Sequence, residues 1–116
     1  MRKDALPNRA RTVVSEQKVV NYLLSETHAD GRGKARFFSG FGFLVSDWQT
    51  LAAALRRHGA ENPLVETVET AFGVRYVVEG QLHAPDGRRP TVRSVWFVER
   101  DGSAPKLVTA YPIKQR

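Results

Sequence analysis

The residues best suited to chemistry lie between His28 and Phe38, in the run His-Ala-Asp-Gly-Arg-Gly-Lys-Ala-Arg-Phe-Phe. An imidazole there can take up or release a proton near neutral pH. Beside it, Arg32, Lys34 and Arg36 sit around two glycines at a loop-to-helix junction, where backbone N–H groups and cations can hold an anion. Further along the chain, Arg93 is flanked by Val92 and Val95 in a strand pattern, a setting in which an arginine needs a carboxylate or a bound anion. Glu79 or Glu99 would serve as an ion-pair partner. Thr109 and Tyr111 lie on the last strand and can donate hydrogen bonds to phosphate oxygens. Other familiar signatures are missing: the sequence has no Walker loop, GxSxG, HExxH or EF-hand pattern. His28, His58 and His83 have no metal-ligand spacing, so neither a metal nor a cofactor is expected. His58 falls in the last turn of a helix, where it can meet carbonyl groups, and His83 borders a turn and should be exposed.

The elements that must position these groups divide the chain in two. Residues 1–11 are polar and basic around Pro7, and read as a flexible or irregular arm. Residues 12–116 read as a single α+β domain. Ser15 as N-cap, Glu16 in the first turn and Val19, Val20, Leu23 and Leu24 on one face predict a helix over 16–25. A second helix is expected from about 33 to 40, with Phe37, Phe38 and Phe41 as apolar surface. A third should follow Ser46 as N-cap, with Trp48, Leu51, Ala52 and Leu55 in a stripe, closing at Gly59. From Leu64 onward the pattern turns to strands, over 64–71, 74–82, 91–99 and 106–111. Turn chemistry at Phe72-Gly73, Pro85-Asp86-Gly87 and Asp101-Gly102 makes them a four-stranded antiparallel meander.

About three helices before such a sheet imply that the helices cover one of its faces. Two-residue hairpins at Asp86-Gly87 and Asp101-Gly102 would set Glu79 opposite Ser94, Val78 opposite Val95, and Ser94 opposite Thr109. That register gathers Arg75, Glu79, Ser94, Thr109 and Tyr111 on an open face. Tyr76, Val78, Val95, Phe97, Val108 and Ala110 would form the core face. Arg93 falls with the apolar set by this count, and one bulge would move it to the open side.

Composition narrows the partners. The 116 residues carry a formal charge of +6 and a pI near 10.2, which favours a polyanionic partner. Residues 1–36 hold eight Lys/Arg against four Asp/Glu, so much of the excess lies near His28. With no cysteine, disulfides and thiolate chemistry are excluded. No apolar run is long enough for a membrane span, and the first residues lack a secretory pattern, so a cytoplasmic site of action is expected.

The succession Tyr22-Leu23-Leu24, His28, Gly31-Arg32-Gly33-Lys34-Ala35, Phe37-Phe38, Gly42-Phe43 and Trp48 resembles the helical half of a bacterial domain-of-unknown-function family related to toxin C-terminal domains. The strand half agrees at Gly73, Tyr76-Val77-Val78, Gly80, Leu82, Pro85-Asp86-Gly87-Arg88, Val92-Arg93, Val95-Trp96 and 107–112. That family resembles the barnase, EndoU, colicin D and RelE-like (BECR) group. The resemblance implies a BECR-like fold and a metal-independent endoribonuclease of toxin type, cleaving RNA by 2′-OH attack on the adjacent phosphate. It also implies a small acidic antitoxin or immunity protein as partner. His28, Lys34, Arg93 and Thr109 match the polar landmarks of the pattern and would be catalytic, with Arg32, Arg36, Arg75 and Tyr111 binding nucleic acid. One departure is that Ser25-Glu26-Thr27-His28-Ala29 replaces an Asn-Pro-x-His-Pro run. The alternative is a non-catalytic module binding nucleic acid or protein through the same basic face. The two readings part on whether the four landmark residues converge.

Overall fold

The computed structural model describes residues 5–28 and 32–113, the side chain of Arg32 excepted. Ser15 caps the first helix by accepting from the Lys18 amide at 3.1 Å, as its side chain is suited to do. This helix, α1, spans Glu16–Lys18 and widens at once into a π turn over Val19–Leu23. The Leu24 amide reaches back to the Val19 carbonyl at 2.8 Å. Helix α2 covers Arg32–Gly40. It ends where the Phe43 amide bonds Phe38 O and the Gly42 amide bonds Ser39 O, and the Phe38 and Phe43 rings meet edge-on beneath. Both features define a Schellman stop. Helix α3 runs Trp48–Glu61 after a 3₁₀ turn at Val45–Asp47. Asp47 rather than Ser46 therefore precedes it, with the Thr50 hydroxyl donating to Asp47 Oδ2 at 2.6 Å.

The strands are β1 (Leu64–Glu69), β2 (Gly73–Gln81), β3 (Thr91–Glu99) and β4 (Lys106–Pro112), paired antiparallel in sequence order. Three helices and a four-stranded antiparallel sheet make the expected α+β architecture. Leu6, Val19, Leu23, Phe38, Leu51 and Leu55 are buried with Val78, Val92, Trp96 and Ala110 in a single core. From Leu6 onward the leading segment thus packs on the domain, and Val13 forms a parallel bridge to Lys106 at the outer margin of β4. At the opposite margin, β1 carries a register shift between Leu64 and Glu66.

The register of β3 departs from the expected one by a single residue. Glu79 faces Arg93, and Val78 faces Ser94. The cause is the turn. Gly87 N bonds Ala84 O, Ala84 N bonds Arg88 O, and Gly87 adopts φ 88°. Pro85-Asp86-Gly87 is therefore a three-residue loop with glycine in the left-handed region, the usual bulged alternative to a two-residue hairpin. One extra loop residue reverses the faces of the whole strand. Arg93 moves to the open face, Ser94 and Trp96 to the core, and Val95 and Phe97 leave the core face. The second hairpin keeps its expected register at Phe97–Lys106 and Trp96–Leu107, and a bulge at Val108 then sets Thr109 opposite Val95 rather than Ser94.

Ser94 is completely buried, and its placement explains His58, which is 1% exposed. His58 Nε2 lies 3.1 Å from Gly80 O and 2.9 Å from Val92 O, and Nδ1 lies 2.9 Å from Ser94 Oγ. Two carbonyls can only accept, so Nε2 carries the proton and Nδ1 accepts from the Ser94 hydroxyl. Ser94 Oγ in turn accepts from Trp96 Nε1 at 2.8 Å. His58 is thus structural, as expected, but its carbonyls belong to the sheet and not to the end of its own helix. Helix α3 also continues through Gly59, which lies against the Trp96 indole with no room for a side chain. His83, expected to be exposed, is half-buried, with Nε2 3.9 Å from Glu61.

Candidate functional site

The π turn of α1 carries Tyr22 to the margin of β4, where its hydroxyl lies 3.0 Å from Thr109 Oγ1. Such widened turns insert a residue into the helical spacing and occur often at functional sites. His28 follows a tight turn in which Ser25 Oγ accepts from the amides of Thr27 and His28 at 3.3 and 3.2 Å. A serine-based turn therefore holds the backbone that leads into His28. The His28 ring meets Tyr22 edge to face, with centroids 5.0 Å apart. Lys34, in the first turn of α2, places Nζ 5.2 Å from the Tyr22 centroid and 6.0 Å from that of Tyr111. Lys18 Nζ is also 5.2 Å from the Tyr22 ring.

Glu79, Arg93 and Tyr111 form one cross-strand row of the open face. Arg93 is ion-paired to Glu79 through Nε and Nη2, while Nη1 donates to the Tyr111 hydroxyl at 3.3 Å. Its pKa is raised by the Tyr111 hydrogen bond and then by Glu79. Burial opposes the ionisation of Tyr22, but the hydrogen bonds to Thr109 and Lys34 and the charges of Lys34 and Lys18 outweigh it. The net effect holds the phenol below its ordinary value.

Of the residues singled out in the sequence, His28, Lys34 and Thr109 meet around Tyr22, and Arg93 joins through Tyr111. Arg36 is exposed on α2. Arg75 lies four residues before Glu79 on β2, opposite Val68 of β1, and its guanidinium is 4.0 Å from the Glu66 carboxylate. Gly31 and the Arg32 side chain lie outside the described residues. Tyr22 is the residue that sequence reasoning left without a role, although it is the hub. It lies outside the Val19, Val20, Leu23 and Leu24 stripe, and in the structure it is partly buried against the core with its hydroxyl turned to Thr109. Among the described residues no three His, Asp or Glu side chains cluster as a metal site would require, and no helix is long and apolar enough to cross a membrane.

The fold defined by these elements has a counterpart among solved structures. A chain of a contact-dependent growth inhibition toxin–immunity protein complex from Klebsiella pneumoniae 342 aligns with a TM-score of 0.70 at 18% identity, covering 95% of this chain and 100% of that one. At that identity the likeness is one of fold. The chain itself belongs to the family described as Domain of unknown function (DUF6883), whose model matches residues 5–114. No curated protein matches it significantly.

Proposed function

We propose that this chain is a toxin-type endoribonuclease with a BECR-like fold, working without a metal and held in check by a small acidic immunity protein or antitoxin. The observation that carries the reading is the meeting of His28, Lys34 and Thr109 around one hydroxyl whose pKa is lowered, that of Tyr22. The net positive charge suits an RNA substrate. The shared fold with a chain from a toxin–immunity complex supports the protein partner.

Cleavage proceeds by attack of a ribose 2′-OH on the adjacent phosphorus. The O2′–P bond forms, the P–O5′ bond breaks, and the products are a 2′,3′-cyclic phosphate and a free 5′-hydroxyl. One group must take the 2′ proton and another must supply a proton to the leaving oxygen. We assign these roles to His28 and Tyr22, the phenol being made a better donor by Lys34 and Lys18. Lys34 stabilises the charge-rich phosphorane, and Thr109 orients it by a hydrogen bond. Arg93, already paired with Glu79, positions Tyr111 beside Lys34.

The test is inducible expression followed by sequencing of RNA termini, repeated with purified protein in EDTA. Discrete ends bearing 5′-hydroxyls are expected. His28→Ala and Tyr22→Phe, if folded, should each lower the cleavage rate by roughly 10²–10³, the usual consequence of losing one positioned group. RNA retained without cleavage, or full activity in a folded His28→Ala variant, would sink the proposal.

A further inference from the structure

Beside the Tyr22 cluster runs an open groove of about 700 Å³ between α1 and β4. From α1 it is lined by Gln17 and Asn21, one helical turn apart, and from β4 by Val108 and Thr109, and Tyr22 and His28 also line it. Two features of this groove are not used by the proposed chemistry, and a third connects them to it. First, the amides of Gln17 and Asn21 have no hydrogen-bond partner among the described residues, although both line the same cleft. Each presents a donor and an acceptor side by side. Secondly, Val108 is the bulged residue of β4, skipped by the register between Leu107 and Thr109. The bulge leaves it 38% exposed at a strand margin. Bulges commonly re-aim a side chain next to a working site. Thirdly, Lys18 stands at the Tyr22 ring and lines the same groove as the amide pair.

An unpaired nucleobase matches this combination. Its edge carries adjacent donors and acceptors that an Asn or Gln amide reads bidentately, and its flat face packs on an apolar side chain. We infer that the groove is a nucleobase-recognition subsite, in which Gln17 and Asn21 select the base neighbouring the scissile phosphate and Val108 supports its face. Lys18 then meets the phosphate that joins this nucleotide to the next. The inference rests on the endoribonuclease reading and adds to it a specificity determinant on α1 that is separate from the proton-transfer groups.

The experiment uses the full chain and a single-stranded RNA pool randomised over eight positions, with cleavage ends sequenced. Gln17→Ala, Asn21→Ala and the double variant are compared with the wild type after thermal melts establish that each is folded, which their exposure favours. The wild type should prefer one base at a fixed position beside the cut by about tenfold, the discrimination of one good bidentate contact. In the double variant that preference should fall to within about twofold while cleavage at the 2′-OH-adjacent phosphate persists. A wild type that cuts without base preference would overturn the subsite, as would a preference unchanged in the double variant. A wild type that does not cut at all would instead remove the endoribonuclease reading, and the subsite with it.

Discussion

Acid should weaken this fold through one buried side chain, His58. Its ring is neutral, with Nε2–H directed at two carbonyls and Nδ1 accepting from Ser94. Burial lowers its pKa from the ordinary 6.5, and the carbonyl hydrogen bonds, which favour the charged form, do not offset it. In the unfolded chain the ordinary value returns. Below it the unfolded state binds a proton that the folded state does not, so the free energy of unfolding falls as pH falls. This contribution is fully present above pH 6.5 and is lost on acidification, with a limiting slope of about 1.36 kcal/mol per pH unit. If His58 stays neutral when folded, the loss between pH 6.5 and 5.5 is about 1.0 kcal/mol. Asp86 and Asp101 are held below the usual 3.8, chiefly by hydrogen bonds from Arg88 and Ser103 respectively. Their stabilisation is therefore lost only in a lower pH range. Urea unfolding at pH 7.5, 6.5 and 5.5, for the wild type and for His58→Gln, isolates the effect. Glutamine offers a donor and an acceptor but does not titrate, and His28 and His83 are common to both proteins. The wild type should lose more than the variant across the lower interval, by up to about 1 kcal/mol. Parallel pH profiles for the two proteins would refute the assignment.

Two further outcomes concern packing and the open face. Gly59→Ala should lower stability by up to about 2.5 kcal/mol in thermal melts: alanine favours a helix by about 0.5–1 kcal/mol, but its Cβ would meet the buried Trp96 ring at 2.9 Å, and overpacking costs about 1–3 kcal/mol. A double-mutant cycle on Arg93→Ala and Glu79→Ala should give a coupling below about 1 kcal/mol that shrinks with salt, because the pair is 37% and 24% exposed.

The helices and strands were legible because their signals are local. Ser15 and the Val19–Leu24 stripe place α1, the Phe37–Phe38 pair places α2, and β3 is expected and found at Thr91–Glu99. What was not legible depends on single-residue counts. A Pro-Asp-Gly sequence closes either a two- or a three-residue loop, and the choice decides whether Arg93 or Ser94 faces the helices. Until Ser94 is known to point inward, nothing in the sequence says what His58 binds. In the same way, His28, Lys34 and Thr109 were singled out by residue type together with the family resemblance, whereas Tyr22 was not, because a π turn departs from the 3.6-residue spacing that sequence patterns assume.

The two margins of the sheet bear on how the protein behaves at high concentration. A strand edge with free N–H and C=O groups invites another chain to extend the sheet. Here β1 carries an irregularity at Val65 and exposed Glu66 and Glu69. On β4, Val13 occupies one end and Pro112, which has no amide hydrogen, occupies the other. Both margins thus resist the continuous ladder on which fibrils and strand-swapped dimers grow, and self-association by this protein would have to use side-chain surfaces instead.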